Sequence, residues 1–188
     1  MDRHELMRRH FSETIMDMCE TRRLADITVA DLVERAGTAR QTFYNHFSDI
    51  NDLICYAGSL PVRSVSQPFA DFEGTRRVYA LTRQHRAFFS QLPAQVGQNN
   101  FWETTTAWLK RMYYERFLDD GMDPDELAYR KTCIDLYCSG STAVTRAWCA
   151  SGMEASDEAM ARVMYAMTPP FAKDGVDALP SRVSDYPR

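Results

Sequence analysis

The sequence predicts an all-α protein, because three features of the chain agree. None of the eight prolines falls within residues 1–60, and the later proline-free intervals are long enough to hold whole helices. Apolar residues in these intervals recur every three or four positions, and no segment shows the apolar–polar alternation of a half-buried strand. Of the 188 residues, 45% are hydrophobic, which is enough to build a core and argues against wholesale disorder.

Charge and cysteine content narrow the class of protein. The formal net charge is -4, so any contact with nucleic acid must come from a local surface. The five cysteines are an odd number without a C-x-x-C pair, which argues against a disulfide framework or a structural zinc site. The polar N-terminus has no signal-peptide pattern, and no stretch approaches the roughly 18 apolar residues of a membrane span. We therefore expect a cytoplasmic protein without a metal, a cofactor or a membrane contact.

Four helices are predicted in the proline-free N-terminal part. We expect the second helix to begin after Thr28 and to stop at Gly37, since these residue types favour the two ends of a helix. Ser48 or Asp49 is expected to cap the fourth helix, and Pro61 is expected to end it. The predicted bounds of the four helices are residues 3–21, 29–36, 39–47 and 49–60.

The rest of the chain is predicted to contain a connector, four longer helices and a loose tail. Prolines, serines and a glycine mark residues 61–75 as the connector. The tail, residues 173–188, has few apolar residues. The predicted bounds of the four helices are residues 75–91, 101–118, 125–150 and 156–167.

Residues 27–47 carry the functional signal. Two short amphipathic helices joined by a tight turn that begins at Gly37 form a helix-turn-helix, in which the second helix enters a major groove of DNA. Phe43 and Phe47 lie four residues apart and are expected to face the core, which leaves polar side chains on the outer face. The predicted DNA-binding residues are Thr28, Thr38, Arg40, Gln41, Thr42, Tyr44, Asn45 and His46.

The chemistry of these side chains suits DNA. Arg40 can donate two hydrogen bonds to guanine, and Gln41 or Asn45 can pair with adenine. Tyr44 and His46 are better placed for phosphates, which fix the register of the protein without reading sequence. We therefore predict duplex operator DNA as a partner.

The same segment resembles the TetR/AcrR family of regulators. The match runs from Thr28 through Ala36-Gly37 to residues 42–47, and Asp52-Leu53 resembles the family's start of the fourth helix. Within the family, residues 40–44 look most like the branch that contains the activator of dihydroxyacetone kinase genes. The resemblance implies a DNA-binding domain over residues 1–60 and a helical regulatory domain over residues 61–188.

Two positions depart from the family pattern. The family usually has a lysine at Ile50, where the ammonium meets a phosphate, and a serine at Ala39, where the hydroxyl caps the recognition helix. Thr38 could take over the cap by a shift of one residue. Residues 1–50 also contain seven arginines and no lysine against nine acidic residues. These features predict weak non-specific DNA affinity or an operator bound through few phosphate contacts.

The regulatory helices are rich in aromatic residues, and two interpretations of them stay open. Most of these side chains fit an ordinary core, whereas a cavity lined by aromatic groups and a few hydroxyls fits a small-molecule effector. The resemblance implies such an effector site, although its ligand is unknown. The predicted lining residues are Phe88, Trp102, Thr105, Trp108 and Met112.

A stripe with small residues follows the helix over residues 125–150. Small residues let a second helix approach closely, which fits either packing within the chain or an interface between two chains. The resemblance implies a four-helix interface between the last two helices of each subunit, and two-fold symmetry matches a palindromic operator. The predicted homodimer residues are Tyr137, Gly140, Ser141, Val144 and Trp148.

The sequence therefore predicts a ligand-responsive transcription regulator, in the first place a repressor. An enzyme is not expected, since the four histidines lack metal-ligand spacing and no P-loop, G-x-G-x-x-G or G-x-S-x-G motif occurs. Two alternatives stay open. One is a helical protein-interaction module that has lost DNA binding, and the other is a cysteine-based redox sensor.

Overall fold

The computed structural model describes residues 2–65, 71–95 and 100–173. Within these ranges the chain is helical and contains no strand, which confirms the all-α prediction. Two short 3-10 helices lie at Leu24–Asp26 and Leu92–Ala94. The α-helices are α1 (Arg3–Met18), α2 (Val29–Arg35), α3 (Arg40–Tyr44), α4 (Ile50–Arg63), α5 (Phe72–Gln84), α6 (Arg86–Phe89), α7 (Phe101–Phe117), α8 (Pro124–Ala150), α9 (Asp157–Met167) and α10 (Pro170–Lys173).

Polar side chains begin the helices where the sequence indicates them. Thr28 caps α2, as predicted, and Asp49 rather than Ser48 caps α4. Ser156 accepts a hydrogen bond from the amide of Ala159 and so begins α9. These caps satisfy amides that have no partner within the helix.

The prediction that Pro61 ends α4 is wrong. The helix continues to Arg63 with Pro61 inside it. Pro61 lies in the last turn and is buried, so the one backbone hydrogen bond that it removes is offset by packing. The predicted connector is correspondingly shorter, because Asp71 already caps α5 through the amide of Gly74 at 2.6 Å. Residues 66–70 of that connector lie outside the described residues.

The helix predicted over residues 75–91 is two helices. The chain turns at His85, whose ψ of 41° is not helical, and α6 follows directly. The predicted extension of α3 to Phe47 is also too long, although the amide of Phe47 still donates to the carbonyl of Phe43 at 3.0 Å. The predicted tail lies outside the described residues from 174 onward.

One hydrophobic core connects the N-terminal helices to the helices behind them. Phe11 and Ile15 of α1 are fully buried, as are Leu53 of α4 and Phe88 of α6. Arg8 strengthens the junction of α1 and α4, because its guanidinium lies 4.2 Å from the ring centroid of Tyr56. The helix α4 packs against α1 on one side and against the regulatory helices α5 and α7 on the other. It therefore connects the N-terminal helices to the regulatory helices.

Candidate functional site

The turn between α2 and α3 sets the angle between the two helices. Gly37 has a φ of 64°, a left-handed conformation that glycine adopts without strain. The amide of Thr38 donates to the carbonyl of Val33 at 2.9 Å, the bond that closes a Schellman helix end. His10 of α1 donates from Nε2 to the carbonyl of Ala36 at 3.0 Å. The first helix therefore holds the turn in place.

Aromatic packing fixes the inner face of α3. Phe43 and Phe47 are buried, as their spacing predicted. The ring of Phe11 meets both edge-on, with centroids 5.5 Å from Phe43 and 6.2 Å from Phe47, a favoured geometry for aromatic pairs. The opposite side of α3 consequently faces solvent.

The outer face of α3 carries four of the predicted DNA contacts. Arg40, Gln41, Tyr44 and Asn45 are exposed. Gln41 donates from Nε2 to Oδ1 of Asn45 at 3.1 Å. When either side-chain amide pairs with a base, this hydrogen bond is replaced by one to the DNA. The four side chains form one polar surface with a single cation, Arg40, which suits base reading in a major groove.

Thr42 and His46 are half-buried. The His46 ring packs against α1, with its centroid 4.3 Å from that of His4 and 6.4 Å from that of Phe11. Burial, together with the nearby His4 and Arg8, lowers the pKa of His46, and its Nδ1 is buried without a hydrogen-bond partner. His46 thus supports α3 on α1, and its contact with DNA stays a prediction.

The N-terminus of α3 has no side-chain cap. Ala39 is the N-cap residue, and the amide of Thr42 donates to its carbonyl at 2.9 Å. The expectation that Thr38 takes over the cap is therefore wrong, because the helix does not shift by one residue. The Oγ1 of Thr38 is instead buried without a hydrogen-bond partner, and its contact with DNA stays a prediction.

Thr28 is engaged at the start of α2. Its Oγ1 accepts from the amide of Asp31 at 3.2 Å, while the Asp31 carboxylate accepts from the Thr28 amide at 2.9 Å. Arg22 lies 3.1 Å from the other carboxylate oxygen. The hydrogen bonds from Thr28 and then Arg22 lower the pKa of Asp31. That Thr28 contacts DNA stays a prediction. In such a contact the Thr28 hydroxyl would bind a phosphate and also accept the hydrogen bond that caps α2.

Four of the nine acidic residues within residues 1–50 lie at the cap or in the first turn of an α-helix. Asp2 and Asp49 cap α1 and α4. Asp31 lies in the first turn of α2, where its carboxylate accepts from the Thr28 amide. Asp52 accepts hydrogen bonds from the Ser48 amide at 3.0 Å and the Ser48 hydroxyl at 3.3 Å. Negative charge is favourable there because a helix N-terminus carries positive partial charge. Part of the acidic balance of the segment thus lies at helix starts, and α3 itself contains no acidic residue.

Ile50, where the family pattern has lysine, is the first residue of α4. It is half-buried and packs against the hydrophobic core. The position therefore contributes apolar contact and no cation.

A cavity of about 80 Å³ lies where α4 meets the regulatory helices. Its walls combine aromatic rings with serine and threonine hydroxyls from α4, α5, α7 and α8. Tyr79 Oη lies 2.8 Å from Thr145 Oγ1 at one side of it. The residues that α4 contributes are Gly58, Ser59, Pro61 and Val62.

Three of the five predicted effector-binding residues line this cavity. Trp102, Thr105 and Trp108 stand in the wall. Phe88 and Met112 do not, since Phe88 is fully buried in α6 and Met112 packs half-buried against the core. The residue that follows each of them lines the cavity instead. That the cavity binds a ligand stays a prediction.

Sequence analysis missed the α4 and α5 walls. An available signal is that residues 53–62 contain no charged side chain, which indicates that both sides of this helix are covered. Such a helix must contact more than the helix-turn-helix. The contribution of Tyr79 from α5 had no comparable signal in the sequence.

The predicted stripe on α8 is divided between two environments. Tyr137 and Ser141 line the cavity and Trp148 is buried, whereas Gly140 and Val144 are exposed. At about 100° per residue the five positions cover an arc of roughly 100°, which straddles the edge of the buried face. Only part of the stripe is available to a second chain.

The described residues were also compared with what a redox sensor, a metal-binding protein and a membrane protein would require. Burial raises the pKa of the Cys19, Cys138 and Cys149 thiols to about 12, so these thiols are protonated and poorly reactive at neutral pH. No cluster of histidine, cysteine and acidic side chains there has the geometry to hold a metal ion. No helix in the same ranges is both long and apolar enough to cross a membrane.

An all-helical fold that presents the polar face of α3 from a glycine turn defines a helix-turn-helix protein. Two family models agree with this class. Residues 21–56 match "Bacterial regulatory proteins, tetR family", and residues 72–169 match "Transcriptional regulator C-terminal region". The chain belongs to the TetR family and is a DNA-binding transcription regulator, not an enzyme.

Comparison with solved structures supports the fold over most of the chain. The dihydroxyacetone kinase operon activator DhaS superposes with a TM-score of 0.60 at 15% sequence identity. The match covers 86% of this chain and 93% of that one. At this identity the similarity concerns the fold alone. Comparison with curated protein sequences gives no significant match.

Proposed function

We propose that the protein is a homodimeric repressor that binds palindromic operator DNA through α3 and releases it when a small molecule occupies the cavity. The observation that carries this proposal is the shared position of α4. Its N-terminal half packs on α1, and there the ring of Tyr56 meets that of Phe47 at 5.7 Å between centroids. In its C-terminal half, Gly58 and Pro61 line the cavity. A ligand that displaces α4 therefore changes the position of α3.

The size of the cavity supports this coupling. A cavity of about 80 Å³ is smaller than the about 150 Å³ cavity known to hold benzene. A ligand with more than a few non-hydrogen atoms consequently has to move the walls apart, and binding then favours a different arrangement of the helices. Since α4 forms one wall, we propose that such a ligand displaces α4.

A second link joins the regulatory helices to the helix-turn-helix. The side chain of Gln91 accepts a hydrogen bond from the Leu24 amide at 2.6 Å and donates to the Ala87 carbonyl at 2.9 Å. Next to it, the Leu92 carbonyl accepts from Nε1 of the cavity residue Trp102 at 3.0 Å. We propose that movement of the cavity wall also reaches the start of α2 by this route.

We keep the division into a DNA-binding domain over residues 1–60 and a regulatory domain over residues 61–188 as part of the proposal. The division falls inside α4, which continues to Arg63. The two domains then share one helix, and this shared helix is what couples them.

Exposed apolar side chains support the proposed homodimer. On α8, Leu136 is 70% and Val144 44% exposed, and on α9, Val163 is 50% and Met167 68% exposed. Leu136, Gly140 and Val144 are four residues apart and so share one side of α8. We propose that these faces of α8 and α9 pack against the same faces of a second chain.

The test of the DNA-binding mode is a mobility shift with duplex DNA from upstream of the protein's own gene. Arg40→Ala should relax the preference at one base pair per half-site and cost about 1–3 kcal/mol, the range for a bidentate base contact. Tyr44→Phe should weaken binding to all sequences about equally, because a phosphate contact does not read bases.

Arg77→Ala is the matched control, since Arg77 is an exposed arginine on α5, away from α3. It should bind as the parent does. If Arg40→Ala and Tyr44→Phe also bind as the parent does, α3 is not the reading helix, and a protein-interaction module becomes the better account. A promoter fusion decides the direction of regulation, because a repressor lowers expression and an activator, such as DhaS by its name, raises it.

A further inference from the structure

We propose that the cavity selects small, uncharged ligands that donate a hydrogen bond, the class of a short-chain alcohol. This inference rests on the proposed role of the cavity as the effector site. Its first support is charge, since no acidic or basic side chain occurs among the described residues that line the cavity. A buried ligand charge would have no partner there, and an unpaired buried charge is strongly disfavoured.

The second support is the direction of the hydrogen bonds in the wall. The hydroxyls of Ser59, Thr82 and Thr142 each donate to a carbonyl of their own helix, at 2.7, 2.8 and 2.7 Å. Ser141 likewise donates to the Cys138 carbonyl at 3.2 Å. Each hydroxyl has one proton and two lone pairs. These groups therefore offer acceptors to a ligand and no free proton.

Tyr79 extends the same pattern into the side of the cavity formed by α5 and α8. Thr145 donates to the Ser141 carbonyl at 2.8 Å, so its single proton is in use. The 2.8 Å contact between Tyr79 and Thr145 is then satisfied with Tyr79 as the donor. The phenol oxygen of Tyr79 retains a lone pair, and this lone pair accepts a hydrogen bond from the ligand.

The polar groups of the indole and tyrosine walls are engaged within the protein. Trp102 donates from Nε1 to the Leu92 carbonyl at 3.0 Å. The hydroxyl of Thr168 contacts both the Met164 carbonyl at 3.0 Å and Oη of Tyr137 at 3.2 Å. With its single proton on the shorter contact, Tyr137 is the donor of the other one. At these side chains a ligand that only accepts hydrogen bonds, such as a ketone, thus meets oxygen lone pairs and aromatic rings.

Four small probes distinguish a neutral donor, a neutral acceptor, a cation and an anion. Each probe has five non-hydrogen atoms, so that the four differ little in size. They are n-butanol (neutral donor), butanone (neutral acceptor), n-butylammonium (cation) and propionate (anion). Binding to the full-length protein is titrated by tryptophan fluorescence, since Trp102 and Trp108 line the cavity, and competition against n-butanol confirms a shared site. We expect n-butanol to bind roughly three- to tenfold more tightly than butanone, the value of one hydrogen bond. The two ions should bind at least tenfold more weakly than n-butanol.

A double variant locates the acceptor. Tyr79→Phe with Thr145→Val removes both oxygens at nearly constant volume and should reduce the preference for n-butanol over butanone, while the remaining wall hydroxyls keep their lone pairs. An unreduced preference would show that Tyr79 is not the acceptor. The matched control is Tyr114→Phe with Thr132→Val. It removes a tyrosine and a threonine hydroxyl that lie outside the cavity lining, bonded to Asp135 and to the Ala128 carbonyl, and it should keep the preference.

The proposal is overturned if an ion competes with n-butanol and binds as tightly, if butanone binds as well as n-butanol, or if none of the four probes binds. A parallel mobility shift separates this inference from the proposed function. If n-butanol binds in the expected order but leaves DNA bound, the ligand class stands and the ligand response fails. If an ion both binds better and releases DNA, the response stands and the ligand class is wrong.

Discussion

His46 shows how one residue serves both folding and recognition. Its imidazole lies between α3 and the start of α1, 4.3 Å from the His4 ring. Because burial lowers the pKa of His46, the folded protein favours the neutral ring more than the unfolded chain does. The packing of α3 on α1 is therefore sensitive to pH.

We predict that the free energy of unfolding falls as the pH drops below about 6.5, the usual pKa of histidine. The unfolded chain takes up a proton at His46 in that range while the folded protein resists it, and the loss levels off once the folded form is also protonated. Urea unfolding at pH 8 and pH 5 measures the effect. The difference between the two pH values should be smaller in His46→Gln than in the parent.

Asn45→Ala serves as the control, since it changes the neighbouring residue without removing a titrating group, and it should keep the parent's pH dependence. Equal pH dependence in His46→Gln and the parent would show that His46 does not link α3 to α1 in this way.

The position of a site residue could be predicted only where residues close to it in the sequence determine that position. Phe43 and Phe47 were placed correctly because their spacing alone puts them on one face. The environment of Ile50 and the lack of a partner for the Thr38 hydroxyl depend on how α3 and α4 pack against α1. The residues next to Ile50 and Thr38 in the sequence do not determine this packing. For the same reason the sequence indicated a cap at Thr38 that the helix does not use.

At the scale of helices, α4 and α7 approach each other at Gly58 more closely than a side chain at this position would allow. A Cβ placed on Gly58 would lie 2.2 Å from Cε2 of Phe101. Phe101 is 5% exposed and meets Trp102 edge-on at 4.9 Å between centroids, so its ring has little room to turn away. Gly58 is therefore the residue that lets the cavity wall form.

We predict that Gly58→Ala destabilises the protein by about 1–3 kcal/mol, because it overpacks the contact with Phe101. Urea unfolding at one fixed protein concentration measures the change. Asn51→Ala is the control, since Asn51 is an exposed residue of the same helix, and it should change the free energy of unfolding by no more than about 0.5 kcal/mol. A Gly58→Ala protein as stable as the parent would mean that α4 and α7 separate easily.

The succession of helices could be predicted from the sequence, but their junctions could not. Periodicity and caps located α2, α7, α8 and α9 to within about two residues. The continuation of α4 through Pro61 and the break at His85 both depend on tertiary packing, which overrides local preference. The cavity was beyond prediction as a whole, because its walls come from helices that are distant in sequence.

At the scale of the whole molecule, the proposed dimer explains why a regulator leaves apolar side chains exposed. Leu136 and Met167 are about 70% exposed, and a second copy of the chain would cover them. We predict that light scattering gives twice the chain mass of 21.6 kDa. Gly140→Leu should shift the protein toward the monomer, since a side chain that has room in one subunit would clash across the interface.

Ala128→Leu is the control for this variant, because Ala128 is also exposed on α8 but lies about 120° around the helix from Gly140. It should remain dimeric. A parent protein that is a monomer at micromolar concentration, or a Gly140→Leu protein that associates as the parent does, would remove this face of α8 as the interface.

The central claim is that α3 reads DNA as part of a two-fold assembly. Selection of bound sequences from a random duplex pool by the full-length protein tests it most directly. The account predicts enrichment of inverted repeats whose half-site centres lie about one helical turn, or a multiple of it, apart, and Arg40→Ala should lose the preference at one base pair in each half-site. A pool without enriched sequences, or enriched sequences that Arg40→Ala selects unchanged, would contradict it.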